Sequence, residues 1–303
     1  MDYLKQHNAA SAPALLVIAR YLASRAEGQS TSDLQKALHP TALKQEQRIP
    51  PQGRGGAAAS LTASLAVGME LGLLEAHGAT RDRRVWSLQD SMRARINAAA
   101  ADSRTFRSLL LRCMGEKAMR DLDGGDRPSD VTLALTWLLR QDPLAPFPTV
   151  WGDGPEAAFR QAKADTLVNN PEQWRAFMRW ARALGLAQLA DRGGPKPHLL
   201  IDPTHALSDV LHAMPSQTPA DHWFRRLYSI LPILGEPRLI ASLPSAGSST
   251  ADIPGSIAVA MLKLERIGRL RLVASSDARD AVVLRLGRRE QRISEVHTME
   301  GAA

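Results

Sequence analysis

The side chains whose types and spacing could do chemistry in this chain are arginines and lysines, which bind phosphate groups through charge and hydrogen bonds. They gather in a loop rich in Pro and Gly, in a polar turn between two short apolar segments, and around a second such turn near the C-terminus. The residues are Lys44, Arg48 and Arg54; Arg81, Arg83 and Arg84; and Arg269, Arg271, Arg279 and Arg285. They predict contact with a polyanion backbone, and an ordinary solvated surface is the alternative in each segment.

The sequence offers no set of residues for catalysis. Its eight histidines include no pair four residues apart with an accompanying glutamate, and the single cysteine, Cys113, excludes a thiolate zinc site. His198, His205 and His212 recur every seven residues, but the first falls in a predicted strand and the others in a helix. A Walker loop, a dinucleotide-binding glycine loop and a Gly-x-Ser-x-Gly elbow are all missing. We therefore expect no enzyme activity, no metal and no cofactor.

Length and composition indicate a globular protein. The 303 residues are 44% hydrophobic, which is enough for real cores in two or three domains. Residues 1–8 lack the zones of a secretory signal, and no apolar run approaches the length of about 20 residues that a membrane span needs. Cys113 alone cannot form an internal disulfide. We expect a cytoplasmic location.

The net charge of +7 is unevenly distributed along the chain. Residues 1 to 99 carry 12 Lys and Arg against 8 Asp and Glu, and residues 218 to 303 carry 12 against 9. Residues 100 to 217 are neutral, with 14 of each sign. Net charge alone identifies no partner. If the protein contacts DNA, this distribution predicts that the two ends do so and that the middle holds other protein.

One pattern occurs three times and supplies the elements that must position the basic residues. Each copy is an apolar helical run, a glycine, the start of an apolar strand, a polar turn and a second short strand. The copies span 69–75 with 85–88, 181–189 with 198–201, and 263–272 with 282–286. Gly72, Gly185 and Gly268 are predicted to end their helices with positive φ. A helix leading through such a glycine into a hairpin is typical of the second half of a winged helix-turn-helix module.

The first copy has the complete order of such a module. Helices are predicted over 14–26, 31–39 and 57–71, and the basic loop separates the last two. This loop precedes the recognition helix, whose N-terminal amides point toward phosphate or a groove. The helix offers only Ser60 and Ser64 for reading bases. We therefore expect recognition of the DNA backbone or shape, with little sequence preference.

The second copy is surrounded by further helices. Ser129 and Asn170 are predicted to cap two of them. Apolar side chains recur at helical spacing after Asn170, and they predict a core stripe rather than a surface for base stacking: Trp174, Phe177, Trp180 and Leu184.

The third copy carries the densest arginine cluster. Arg269 and Arg271 fall on one face of a predicted strand, and Leu270 and Leu272 fall on the other. One face is then core and the other basic, which favours binding to the backbone of DNA or RNA.

Two resemblances follow from these residues. The helix and hairpin copies resemble the winged helix-turn-helix superfamily. Three segments are similar to the DpdG family: Trp174 to Leu186, Ile201 to Leu207, and Ser256 to Glu265 with the later Ser276-Asp277-Ala278. This family belongs to bacterial systems that insert 7-deazaguanine derivatives into DNA and restrict unmodified DNA. The resemblance implies a cytoplasmic accessory subunit of a multi-protein anti-phage system, with no assigned chemistry of its own.

The sequence thus predicts a mostly α chain with small β-hairpins, built from tandem winged helix-turn-helix modules. The predicted boundaries are 1–95 for the first module, 96–214 for a helical connector and the second, 218–292 for the third, and 293–303 for a tail.

Three functions are compatible with this organisation. The first is a non-catalytic DNA-binding and scaffold subunit that grips duplex DNA with little specificity and docks ATPase, helicase or nuclease partners. The second is a purely protein–protein assembly module. The third, a winged-helix transcription regulator, is weaker because no outward set of base-reading residues is visible.

Overall fold

The structure is a computed structural model that describes residues 2–38, 56–78, 84–191, 193, 196–244, 253–274 and 281–299. Helices predominate, and the strands form three small antiparallel sheets. The prediction of a mostly α chain with small β elements is therefore confirmed.

A common order of elements occurs three times: helix, strand, helix, helix, and two further strands that pair. The first unit follows a short helix, α1 (Tyr3–Gln6). Its elements are α2 (Ala12–Ala23), β1 (Gln29–Ser30), α3 (Thr31–Leu38), α4 (Gly56–Glu70), β2 (Leu74–His77) and β3 (Val85–Leu88). Two helices then lead to the second unit: α5 (Asp90–Ala100) and α6 (Ser103–Asp123).

The second and third units repeat this order with additions. The second contains α7 (Asp130–Leu139), β4 (Phe147–Pro148), α8 (Pro155–Gln161), α9 (Pro171–Ala183), β5 (Ala187–Ala190) and β6 (His198–Ile201). The third contains α10 (Thr204–Val210), β7 (Gln217–Pro219), α11 (Ala220–Ile230), a short α12 (Pro237–Ala241), α13 (Gly255–Arg266), β8 (Leu270–Ala274), β9 (Val282–Leu286) and β10 (Arg289–Thr298). Single 3-10 turns lie at Trp151–Asp153, Leu211–Ala213 and Pro232–Leu234.

The three sheets also share one strand order. The last strand of each unit lies in the middle and pairs with the first strand on one side and the second on the other. The orders are β1-β3-β2, β4-β6-β5 and β7-β10-β8, with β9 as an extra strand on β10. In the second sheet, for example, Leu199 lies opposite both Phe147 and Leu189. The repeat therefore covers whole units and is not confined to the helix and hairpin.

The three glycines at the helix ends have the conformation that the sequence predicts. Gly72, Gly185 and Gly268 have φ of 69°, 70° and 72°. Each N–H donates to the carbonyl three residues earlier, and the next N–H donates to the carbonyl five residues before it. At Gly185 these bonds run to Arg182 at 3.0 Å and from Leu186 to Ala181 at 2.9 Å. This double closure fixes the direction in which each helix enters its hairpin.

Both predicted caps of the second unit are also confirmed. The Ser129 hydroxyl accepts a hydrogen bond from the N–H of Thr132 at 3.4 Å. The Asn170 Oδ1 accepts from the N–H groups of Glu172 and Gln173 at 3.0 and 2.9 Å. The N-cap side chains of α7 and α9 thus accept hydrogen bonds from backbone amides that have no partner within the helix.

Helix α7 lies at the centre of the molecule. All ten of its residues are buried, and α1 and α9 pack against it. The stripe on α9 is core, as predicted, because Trp174, Phe177, Trp180 and Leu184 are each at most 1% exposed. Rings from the second unit surround Trp174, with centroids of Phe147, Trp151, Phe159 and Phe177 at 5.5 to 6.3 Å.

Two predictions for the third unit are wrong. The sequence pattern predicts a hairpin of β8 with β9, but both strands pair with β10 instead. The predicted tail from residue 293 includes half of β10, the central strand of the sheet. A bulge between Ile293 and Glu295 breaks the two-residue alternation that reveals a strand. The unit also begins earlier than residue 218, since Gln217 pairs with His297.

The glycines predict a graded response to substitution. A Cβ at Gly268 would meet no atom within 4 Å, whereas a Cβ at Gly185 would lie 3.1 Å from Arg107 Cδ and from His205 Cβ. We expect Gly268→Ala to lower the free energy of unfolding by about 1 to 2 kcal/mol through left-handed strain alone. Gly185→Ala should cost more, because these neighbours must also shift. Denaturant unfolding measures both, and equal losses would show that the contacts at Gly185 are easily relaxed.

Candidate functional site

Only some of the basic residues that the sequence singles out can be placed. Lys44, Arg48, Arg54, Arg81, Arg83 and Arg279 lie outside the described residues. Arg84 is exposed directly before β3. On α4, Ser60 is half-buried and Ser64 is fully buried. Of the two serines that this helix offers for reading bases, Ser64 is therefore inaccessible, and the helix is even less suited to reading sequence.

Arg271 and Arg285 lie on the exposed side of the third sheet. Arg271 stands opposite His297 and Arg285 stands opposite Glu290, so each pair shares one face. The other face carries the buried side chains Leu270, Leu272, Leu284, Ile293 and Val296. We call the exposed side the outer face, defined by Arg271, Arg285, Glu290, Arg292, Glu295 and His297. The predicted division into a core face and a charged face is confirmed for this sheet.

The outer face is mixed in sign, with a basic excess. The Arg285 Nε donates to Glu290 Oε1 at 2.8 Å, so part of its charge is compensated. Glu295 Oε2 lies 3.0 Å from His297 Nε2, and this bond lowers the pKa of the Glu295 carboxyl. Arg271 and Arg292 are exposed, and two further exposed arginines, Arg288 and Arg289, stand at the turn between β9 and β10. Basic charge therefore extends from the face to the tip of the sheet.

Arg269 does not belong to this face. It is half-buried and lines a cavity of about 400 Å³ between α5, α6, α10 and the start of β8. Arg95, Arg104 and Arg112 line the same cavity, whereas Arg271 does not. The prediction that Arg269 and Arg271 act together on one exposed surface is wrong in this respect. The structure instead brings Arg269 together with three arginines that the sequence argument did not single out.

The acidic groups at the cavity have other partners. Asp209 Oδ2 accepts from Arg107 Nε at 2.7 Å, and Asp209 Oδ1 lies 4.0 Å from Arg104 Nε. The Asp102 carboxylate caps α6 by accepting from the N–H groups of Arg104 and Thr105 at 3.2 and 3.0 Å. By contrast, the Nε atoms of Arg112 and Arg269 are buried and have no hydrogen-bond partner among the described residues. The cavity therefore retains an uncompensated positive charge.

A sequence signal for the cavity exists, but it is weak. Arg104, Ser108 and Arg112 recur every four residues along α6, which places polar side chains on one side of a helix whose other side is apolar. Arg95 and Arg269 reach the cavity from distant parts of the chain, and nothing in the local sequence predicts this meeting.

Other chemistry finds little support in the part of the chain that the structure describes. No group of three or more His, Cys, Asp or Glu side chains in these residues could hold a metal ion. Cys113 is buried in α6, and burial raises the pKa of its thiol to about 11, which makes it a poor nucleophile at neutral pH. None of the helices in the described ranges is both long and apolar enough to span a membrane.

Comparison with known families gives one result. The family model described as DpdG-like matches residues 1–278. The chain belongs to the DpdG-like family. The match reaches far beyond the segments between Trp174 and Ala278 that carry the resemblance in the sequence, and it covers all of the first two units. Family membership associates the chain with a Dpd defence system. Comparisons with curated proteins and with solved structures gave no match.

Proposed function

We propose that this DpdG-like chain is a non-catalytic subunit of a Dpd defence system that holds duplex DNA by its backbone and docks partner proteins such as an ATPase, helicase or nuclease. Its three units act as tandem winged helix-turn-helix modules. Two features support that assignment: the order helix, strand, helix, helix and paired strands, and the position of the last strand between the other two in each sheet.

The observation that carries DNA binding is the outer face of the third sheet. Arg271 and Arg292 project from a sheet whose opposite side is packed core, so they are held at fixed positions while remaining exposed. Arg288 and Arg289 continue the basic charge at the tip of the β9–β10 turn, where a wing would meet the backbone. Arginines held in this way can contact successive phosphates without reading bases.

Little sequence preference is expected of such an interface. In the first unit, α4 would be the recognition helix, and the described part of it exposes Ala59, Thr62 and Met69 but neither Asn, Gln, Arg nor Lys. Specific reading of bases in the major groove relies on side chains of those types. Binding should therefore depend on phosphate charge and fall steeply as salt rises.

The proposal predicts the behaviour of one double variant. Arg271→Glu with Arg292→Glu should weaken binding to a random-sequence duplex by about tenfold or more, because two phosphate contacts become repulsive. The slope of log affinity against log salt should also fall by about 2, one contact per arginine. Fluorescence anisotropy with a labelled duplex measures both the affinity and its dependence on salt. The titrations start at about 50 mM salt, where phosphate contacts are strong.

A matched control separates a local contact from the net charge. Arg127→Glu with Arg160→Glu changes the charge equally, and both side chains are exposed and lie outside the third sheet. This control should leave DNA affinity nearly unchanged. Equal losses in both double variants, or no binding by the unaltered protein, would contradict an interface on the third sheet.

The mixed sign of the outer face favours one alternative, a module that only assembles proteins. Glu290 pairs with Arg285 and Glu295 is held by His297 and Gln217, and such alternating charges suit a polar protein contact. In that case the Arg271 and Arg292 double variant would keep its DNA affinity and lose a partner. Copurification from the native host, followed by mass spectrometry, distinguishes the two functions.

A further inference from the structure

The arginine cavity between α5, α6, α10 and the start of β8 lies apart from the outer face and has its own chemistry. We propose that this cavity is a binding site for a phosphate group, which the guanidinium groups of Arg112 and Arg269 hold from two sides with support from Arg95 and Arg104. This site goes beyond the proposed DNA interface, and its test does not depend on that interface.

The cavity is lined by two arginines that each have an unused hydrogen-bond donor. The Nε atoms of Arg112 and Arg269 are buried and bond to no other group in the described residues. A buried donor without a partner costs free energy, and native structures usually satisfy such groups with protein, water or ligand. Two of them belong to arginines that reach the lining of one cavity from distant parts of the chain, which indicates a common ligand for the two guanidinium groups. The Ser208 hydroxyl lines the same space and adds a donor of the kind that phosphate oxygens accept, whereas the Thr105 hydroxyl already donates to Asp102 at 2.9 Å.

The balance of charge points to an anion as well. Four arginines line the cavity against two carboxylates: Asp209 pairs with Arg107 and lies 4.0 Å from Arg104, and Asp102 caps the first amides of α6. Glu116 lies 3.9 Å from Arg95 and also opposes the lowering of the Arg112 pKa, so it offsets only part of the positive charge. Burial, followed by the like charge of Arg95, lowers the pKa of the Arg112 guanidinium. A bound oxyanion would relieve this repulsion.

The shape of the cavity limits the ligand. A volume of about 400 Å³ accommodates a phosphate or diphosphate with part of an attached group. The lining includes the aliphatic side chains of Ala99 and Leu109, and its single ring is the small imidazole of His212, with no Phe, Tyr or Trp among the lining residues. The recognised chemistry is therefore the phosphate itself. It can come from a free nucleotide or from the phosphorylated end of a nucleic acid strand.

Pyrophosphate is the probe for the first measurement. At constant ionic strength, pyrophosphate should raise the thermal midpoint of the unaltered protein relative to chloride, and calorimetric titration should give a dissociation constant. Arg112→Gln with Arg269→Gln should weaken that constant by about tenfold or more, because two charge-assisted contacts are lost. Arg127→Gln with Arg160→Gln is the matched control and should leave the constant unchanged.

The ligand-free stability of the cavity variant tests a structural role. Since the two Nε atoms donate no hydrogen bond to the described residues, the double variant should fold with an unchanged or higher thermal midpoint. If it does not fold, Arg95→Gln provides a second variant, because Arg95 is exposed and its loss threatens no core. That variant should also weaken pyrophosphate binding.

Two further arms identify the source of the phosphate. Binding of ATP without binding of a 5′-phosphorylated tetranucleotide would support the proposal and assign the site to a free nucleotide. Binding of the phosphorylated tetranucleotide, but not of its 5′-hydroxyl form, would support it and assign the site to a strand end. Absence of any pyrophosphate effect on the unaltered protein, or equal pyrophosphate binding by the cavity variants, would overturn it.

Discussion

Trp174→Ala is expected to lower the free energy of unfolding by about 3 to 5 kcal/mol, the range for deleting a large aromatic side chain from a packed core. Trp174 is 1% exposed and lies among the rings of Phe147, Trp151, Phe159 and Phe177. Its indole N–H also donates to the Thr149 carbonyl at 3.0 Å, and the truncation would leave that carbonyl without this donor. The loss should therefore exceed the cost of the cavity alone.

Trp174→Phe separates the two contributions. It keeps an aromatic ring in the cluster and removes the indole N–H, so it should cost less than the alanine variant. Leu144→Ala serves as the surface control, because Leu144 is 57% exposed and its truncation should change stability by well under 1 kcal/mol, as for most exposed sites. Denaturant unfolding of the three variants gives the comparison. A loss below about 1 kcal/mol for Trp174→Ala would mean that the aromatic cluster does not hold the second unit together.

The features that the sequence predicts well are those determined by near neighbours. The glycine at the end of α9 needs only the preceding helix and the following strand, and its bonds reach no farther than five residues. The Asn170 cap needs only the next three residues. The apolar stripe from Trp174 to Leu184 follows helical spacing on a single element. Each of these predictions rests on local geometry, and each is confirmed.

Strand β10 shows why the sequence pattern does not predict some other features. Its buried residues Ile293 and Val296 are three positions apart, because the bulge between Ile293 and Glu295 shifts the alternation. Without a two-residue period, the segment does not look like a strand. The first strands of the units, β1 and β4, have two residues each, too few for any period to be visible.

The arginine cavity cannot be predicted from the sequence for a different reason. Arg95, Arg112 and Arg269 meet only because α10 packs against α6 and the residue before β8 reaches the same cavity, and such long-range contacts have no local signature in the sequence. The same packing separates Arg269 from Arg271, its neighbour by two positions. The clustering of arginines along the sequence therefore assigns one arginine too many to the outer face and does not reveal the cavity.

The second large effect concerns pH and the buried carboxyl of Asp130. This side chain is 1% exposed at the start of α7 and accepts hydrogen bonds from the backbone N–H groups of Leu4 and Lys5, at 3.0 and 3.2 Å, and from that of Val131 at 2.7 Å. Burial raises the pKa of the Asp130 carboxyl from 3.8 to about 6, although the N–H of Leu4 opposes the rise. The carboxyl thus links α1 to the central helix.

The sign of the effect follows from the proton balance. Between pH 3.8 and about 6, the folded state retains a proton on Asp130 that the unfolded chain has released. The contribution of Asp130 to the free energy of unfolding is therefore fully present below that window and is lost as pH rises through it. The loss is about 1.4 kcal/mol per pH unit and about 3 kcal/mol in all. The N–H groups of Leu4 and Lys5 favour the ionised form, so the loss of stability comes from the cost of burying a charged carboxylate.

Asp130→Asn isolates this contribution, because the amide has nearly the same shape and does not titrate. The stability difference between the unaltered protein and the variant should fall by about 2 kcal/mol from about pH 4 to about pH 7, and Asp126→Asn, which removes an exposed carboxyl, is the matched control. Urea unfolding at each pH measures the free energy of unfolding of each protein. The difference between the unaltered protein and a variant removes the contribution of the carboxyls that both share. Parallel pH profiles for the unaltered protein and Asp130→Asn would show that the backbone donors of Leu4, Lys5 and Val131 offset the cost of burial. In that case the contact between α1 and α7 would not respond to a change in pH.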